Sequence, residues 1–217
     1  EVYLASEYRY KKNFLDKDSL VIFVSQSGET ADTLACLKKI KETDAKSLGI
    51  INVEKSSISL LVDEVIYTKS GSEIAVATTK AYSAQVLILE LMALCIGVRK
   101  GIISLEAAND IISDIKELPS LIEEEINNKH SYDKIASLIY KNEDIFFLGR
   151  GIDYSLCMEG SLKLKEISYI HSESYAAGEL KHGTISLIDK GTPVIGLVTD
   201  SDLAMKTISN IKETKAR

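Results

Sequence analysis

Polar and apolar positions along this chain fall into blocks whose period changes from one block to the next. Residues 19–25 form one unbroken apolar run between two serines, the pattern of a strand buried on both faces of a parallel sheet. The run breaks at Gln26-Ser27-Gly28-Glu29-Thr30, after which Ala31, Leu34, Ala35, Leu37 and Lys38 recur at helical spacing to about Glu42. Residues 46–52 and 63–68 predict two further strands, and residues 78–98 a long helix. Strands alternating with helices predict βαβ units on a parallel sheet. Residues 101–140 predict three successive helices with no strand between them, and the acidic cluster Glu123-Glu124-Glu125 fits a solvated helix face. Residues 144–149 then predict a strand that opens a second α/β segment, ends in Gly149-Arg150-Gly151 and leads into a helix over 154–168. A strand over 193–199 and a helix from about Asp202 follow. The expected fold class is α/β: a domain over 1–100, a helical connector over 101–140, and a second domain over 141–217. Strand–loop–helix junctions in both halves suggest an internal duplication, although the two loops differ in sequence.

Composition narrows the function classes. The 217 residues are 45% hydrophobic and 27% charged, as in a globular protein with a real core. A net charge of −6 disfavours nucleic acid or an anionic membrane as partner, but backbone amides still bind phosphate in an acidic protein. The longest apolar stretch, Ala84 to Gly97, is too short and broken for a membrane span, and no secretory leader opens the chain. Cys36, Cys95 and Cys157 sit in apolar helical patterns and are expected to be reduced core thiols of a cytoplasmic protein, not metal ligands. The chain opens on Glu1, and residues 209–217 predict a helix without a cap or following strand. The expectation is a fragment cut at both ends.

Four segments carry chemistry. Ser25-Gln26-Ser27-Gly28-Glu29-Thr30 lies where a buried strand hands over to a helix, at the carboxyl edge of a sheet, where open α/β folds bind ligands. A helix N-terminus offers free N–H groups and partial positive charge to a phosphate. The alternative, ordinary N-capping, needs one hydroxyl, whereas Ser25, Ser27 and Thr30 supply three. Residues 73–80, also hydroxyl-rich, are as consistent with capping as with a ligand role. Lys163 and Glu166, three residues apart, share one helix face. Such a pair is usually a surface ion pair, but the apolar neighbours Leu162, Leu164 and Ile167 imply partial burial, and a carboxylate in a cleft beside a cation is a candidate proton-transfer group. His182, among the glycines of residues 178–183, is either a general acid–base or a plain surface residue. His130 and His171 have no supporting context, and no ligand spacing points to zinc.

These motifs, in this order and over nearly the whole chain, resemble the glutamine–fructose-6-phosphate aminotransferase (glucosamine-6-phosphate synthase) family. The first motif alone would indicate only a sugar-isomerase (SIS) domain. Lys163-Leu164-Lys165-Glu166-Ile167-Ser168 followed by Glu179-Leu180-Lys181-His182-Gly183 is far more specific. The resemblance implies two flavodoxin-like SIS domains that convert fructose 6-phosphate and ammonia from glutamine to glucosamine 6-phosphate, an amino-sugar precursor. It implies that Ser25, Gln26, Ser27 and Thr30 hold the sugar phosphate and adjoining hydroxyls. Val76 and Thr78 would contact the sugar, Thr78 standing where the family commonly has Ser. Glu166 would be the base, Lys163 its support, and His182 the group that assists ring opening, reaching the site from a neighbouring subunit of a homodimer. No cofactor or metal is implied. The family's glutaminase domain, the first strand of the first SIS domain and a C-terminal Schiff-base lysine are not in these 217 residues. The expectation is therefore that this chain alone does not make glucosamine 6-phosphate from glutamine. The competing readings are a stand-alone SIS isomerase or deaminase using free ammonia, a phosphosugar-sensing regulator, and, disfavoured by the hydroxyl-rich loop, an interaction module.

Overall fold

The computed structural model describes residues 1–12 and 14–217, apart from the side chain of Lys129. The chain divides into two compact units, Glu1–Ile115 and Lys116–Arg217.

The first unit runs α1 (Ala5–Tyr8), β1 (Leu20–Ser25), α2 (Ala31–Ile40), β2 (Lys46–Ile51), α3 (Ser57–Leu61), β3 (Glu64–Tyr67) and α4 (Lys80–Arg99). The strands form a parallel sheet in the order β1-β2-β3, with Leu20 opposite Lys46 and Ser25 opposite Ile51. Parallel neighbours require crossovers, and α2 and α3 supply them. Phe23, Cys36, Leu37, Ile40, Ala45, Ile51 and Ile58 form the core. All three strands end at one edge, at Ser25, Ile51 and Tyr67.

β1 departs from the expected two-sided burial. Phe23 and Ser25 are buried, whereas Leu20, Ile22 and Val24 on the alternate face are 54%, 39% and 41% exposed. α2 covers the Phe23 face, and among the described residues β1 is a sheet edge. α4 lies within two residues of the helix expected over 78–98, but it runs unbroken beyond the apolar stretch Ala84 to Gly97. Gly97 does not break it, because the helix carbonyl there accepts from the N–H groups of Ile102 and Ile103, and Ile103 packs where a Cβ would stand. α4 is long and apolar enough to cross a membrane by length and composition, and little of it is buried. Cys36 and Cys157 are buried free thiols, but Cys95 lies exposed on α4, outside the core expected for it.

Asp63 closes the start of β3 onto β2. Its carboxylate accepts from Lys41 Nζ (2.6 Å), Ser47 N–H (2.8 Å) and Ser47 Oγ (2.7 Å), which hold its pKa well below the usual carboxylate range, Lys41 contributing most. A depressed folded-state pKa stabilises above the unfolded value, about 4, and is lost as pH falls through the folded value. Asp63→Ala should therefore lower the unfolding free energy by about 1 kcal/mol at pH 7, after solvent screening. It should cost less at pH 3, as read from urea midpoints at both pH values.

α5 (Leu105–Asn127) spans the unit boundary. With α6 (Lys129–Ile139) it makes two helices where three are expected, because Pro119 sits inside α5 without ending it. Proline removes one helical hydrogen bond, here the bond to the Ile115 carbonyl, and the helix resumes on either side.

The second unit continues with β4 (Asp144–Gly149), α7 (Ile152–Ser168), β5 (His171–Ala176), β6 (Val194–Gly196) and α8 (Ser201–Lys215). Its parallel sheet has the order β5-β4-β6. β5 is absent from the sequence reading because His171-Ser172-Glu173-Ser174 carries no apolar run. Its inward Ser172 is satisfied by α7, where its hydroxyl donates to the Ser161 carbonyl (2.8 Å) and lies 2.9 Å from Ser161 Oγ. Phe146, Leu148, Ala177, Leu180 and Ile188 form the core. Asp153, 1% exposed in the first turn of α7, accepts from the N–H and hydroxyl of Thr199. Those bonds and the Asp200 N–H lower its pKa.

Candidate functional site

The first unit presents the Ser25–Thr30 loop at its carboxyl edge. Thr30 occupies the N-cap of α2 in extended backbone but makes no side-chain cap bond. The hydroxyls instead organise the loop. Ser25 Oγ accepts from the Gly28 N–H (3.0 Å) and lies 3.2 Å from Thr30 Oγ1, and Ser27 Oγ accepts from the Glu29 N–H (3.2 Å). Gly28 has φ +66°, and a Cβ there would lie 2.0 Å from Ser56 Oγ and 3.0 Å from Ile51 Cγ2. Close approach at Gly28 therefore comes from the protein's own Ser56. Glu29 turns its carboxylate onto the Ser57 N–H (2.7 Å), which lowers its pKa. The Gln26 carbonyl accepts from the N–H groups of Asn52 (3.1 Å) and Val53 (3.2 Å), tying the loop to the end of β2. A fixed loop with three hydroxyls at the start of a helix suits a phosphate dianion.

Residues 72–79 follow β3 in the same unit. Val76 is 88% exposed, and Thr78 is half-buried just before Thr79, the N-cap of α4. Thr79 makes no side-chain cap bond, and Lys80 Nζ donates to the Ser72 carbonyl (2.7 Å). Glu73 Oε2 is buried with no hydrogen-bond partner among the described residues.

In the second unit, α7 places Glu159, Lys163 and Glu166 on one face. Lys163 Nζ hydrogen-bonds Glu166 Oε2 and lies 3.6 Å from Glu159 Oε1, and all three side chains are mostly buried. Burial pulls the Lys163 pKa down, but the bond to Glu166 and the charge of Glu159 outweigh it, so the ammonium is held charged. The expected cause of this burial is wrong. Leu162 and Ile167 are 43% and 66% exposed, and Leu164 is partly buried; the face α7 buries carries Asp153, Cys157 and Ser161, and the three charged side chains cover one another on a different face. Residues 178–183, expected as a plain loop, contain one 3₁₀ turn, Leu180–His182. His182 is exposed, and its ring makes no hydrogen bond or ion pair among the described residues. The base of the turn is clamped: Arg150 donates from Nε (3.2 Å) and Nη2 (2.8 Å) to Asn210 Oδ1, and Nη2 would lie 2.7 Å from a Cβ on Gly178. His171 does have context, its Nδ1 lying 2.6 Å from Asp144 Oδ1 on the surface.

Residues 1–95 and 138–217 match the SIS domain family. The chain belongs to the SIS domain family. Over all 217 residues it is 52% identical to a glutamine–fructose-6-phosphate aminotransferase [isomerizing] of Caldanaerobacter subterraneus subsp. tengcongensis. It is 50% identical to the enzyme of that name from Clostridium tetani. The SIS chain spans 36% of the length of each of these relatives. The C-terminal domain of glucosamine-fructose-6-phosphate aminotransferase from Francisella tularensis superposes on all of it with a TM-score of 0.95 at 40% identity, and 62% of that chain is covered.

Within this SIS chain the expected phosphate residues thus share one loop, and Lys163 and Glu166 share one hydrogen bond. The sequence reading passed over Glu159, although its spacing of four from Lys163 was a usable signal. It also missed Arg150 as the residue under Gly178, for which the sequence held no signal beyond the flanking glycines.

Proposed function

We propose that this chain is the sugar-isomerising part of a glutamine–fructose-6-phosphate aminotransferase. The observation that carries the reading is the half-buried Lys163–Glu166 pair on α7, in a chain that also holds a hydroxyl-lined loop at the start of α2. Ser25, Gln26, Ser27 and Thr30 bind the phosphate and neighbouring hydroxyls of fructose 6-phosphate, and Val76 and Thr78 contact the sugar. His182, supplied by the partner in a homodimer, assists ring opening. Ammonia, released from glutamine by a glutaminase domain of the same enzyme, condenses at C2 to an imine with loss of water. Glu166 then takes the proton from C1 and returns it to C2. The C1 hydroxyl gives up its proton as the imine nitrogen gains one, so the C2 imine becomes an amine and the C1 alcohol an aldehyde, and the oxidation of one carbon balances the reduction of the other. Lys163 holds the carboxylate in place and offsets negative charge as the proton moves. A cytoplasmic location fits such a metabolic role.

The test is calorimetric titration of fructose 6-phosphate into the protein expressed from its complete reading frame. Saturable binding is expected, weakened about tenfold or more in Ser27→Ala through loss of a hydrogen bond to a charged group. Equal affinity in the variant would remove Ser27 from the site, and absence of binding in the unmodified protein would sink the reading.

A further inference from the structure

We propose that Asn52 is a positioning residue that fixes the sugar-contacting segment, residues 72–79, against the phosphate loop; the inference rests on the function proposed above. Asn52 stands one residue beyond β2 and faces two ways. Its backbone N–H, with that of Val53, holds the Gln26 carbonyl of the phosphate loop. Its side chain holds the turn after β3: Nδ2 donates to the Gly71 carbonyl (2.7 Å), while Oδ1 accepts from the Ser70 N–H (3.0 Å), Ser70 Oγ (2.9 Å) and Thr68 Oγ1 (2.9 Å).

The Ser70 N–H can only donate and the Gly71 carbonyl can only accept, so the orientation of the amide is fixed. Three donors exceed the two lone pairs of Oδ1, and the 3.3 Å contact between the Thr68 and Ser70 hydroxyls lets one of them bond to the other. The turn contains Lys69 at φ 56° and Gly71 at φ 73°. A non-glycine residue keeps a left-handed conformation only where its surroundings impose it, and Asn52 grips the residues on either side of Lys69. Val76 and Thr78 follow a few residues later. Asn52 thus links the chain ahead of that segment to the backbone that carries the phosphate loop.

An amide meets this demand and a carboxylate does not. Aspartate would still accept from Thr68 and Ser70, but it would set a negative oxygen against the Gly71 carbonyl.

The experiment compares Asn52→Ala and Asn52→Asp with the unmodified protein from its complete reading frame. It measures affinity for fructose 6-phosphate, affinity for inorganic phosphate, and hydrogen exchange over residues 69–79. Fructose 6-phosphate affinity should fall tenfold or more in both variants and phosphate affinity by less than threefold. Exchange should quicken over 69–79 and stay unchanged over β2. Equal sugar affinity, or equal loss of sugar and phosphate affinity with faster exchange through β1 and β2, would overturn the proposal. Should the unmodified protein fail to bind fructose 6-phosphate, the functional reading falls, and exchange over 69–79 alone decides whether Asn52 fixes the segment.

Discussion

Replacing Glu166 with Gln is expected to cut formation of glucosamine 6-phosphate by about a thousandfold or more, while fructose 6-phosphate affinity stays within about threefold. A positioned base contributes about 10²–10⁴ in rate, and in the function proposed above the same group both removes and returns the proton, so its loss would strike two steps. The amide matches the carboxylate in shape and can still accept a hydrogen bond from Lys163. Lys163 also keeps Glu159 3.6 Å away, so the substitution does not strand a buried ammonium, and the fold should survive. Rates and affinities on the protein from its complete reading frame decide the matter. Turnover within tenfold of normal would remove Glu166 as the base. Loss of sugar binding in step with turnover would make it a binding residue instead.

Gly28→Ala is expected to destabilise the first unit by about 3 kcal/mol and to abolish phosphosugar binding. Two penalties add. Alanine at φ +66° costs about 1–2 kcal/mol, and its methyl would stand 2.0 Å from Ser56 Oγ and 2.7 Å from Ser56 Cβ. Neither Ser56 nor Ile51 behind it is free to yield, both being almost fully buried, and overpacking of this kind costs about 1–3 kcal/mol. The double variant Gly28→Ala with Ser56→Gly should recover the packing part only, since the backbone strain remains. Urea denaturation of the single and double variants separates the two. A Gly28→Ala protein as stable as the parent would show that the loop does not need its left-handed residue.

The sequence made some of this architecture legible and hid the rest for identifiable reasons. β1, β2 and β4 were visible because a parallel strand is an apolar run, and the loop after β1 because three hydroxyls and a glycine interrupt one. The Lys163–Glu166 pair followed from helical spacing. β5 was hidden because its polarity is balanced by Ser161, a partner that exists only after folding. The inward face of α7 was hidden too, since amphipathic patterning assigns the core to Leu162 and Ile167, whereas Asp153, Cys157 and Ser161 fill it. Asn52 looked like the end of a strand, and nothing in its neighbours announces the turn sixteen residues later that its side chain holds. Local patterns report elements; what binds one loop to another is set by tertiary contact.

Asp153 sets the second unit apart from the first. In the first unit the helix that follows β1 carries its first-turn carboxylate, Asp32, part-exposed and paired with Arg9, behind a loop of hydroxyls. In the second the corresponding helix begins over a buried carboxylate already clasped by Thr199. That carboxylate is a resident counter-anion, and a phosphate dianion brought to the same end would meet like charge in a dry place. The two halves share a plan but divide the labour. Under the function proposed above, the first unit receives the phosphate, and the second, with Asp153 buried at its helix start, does not.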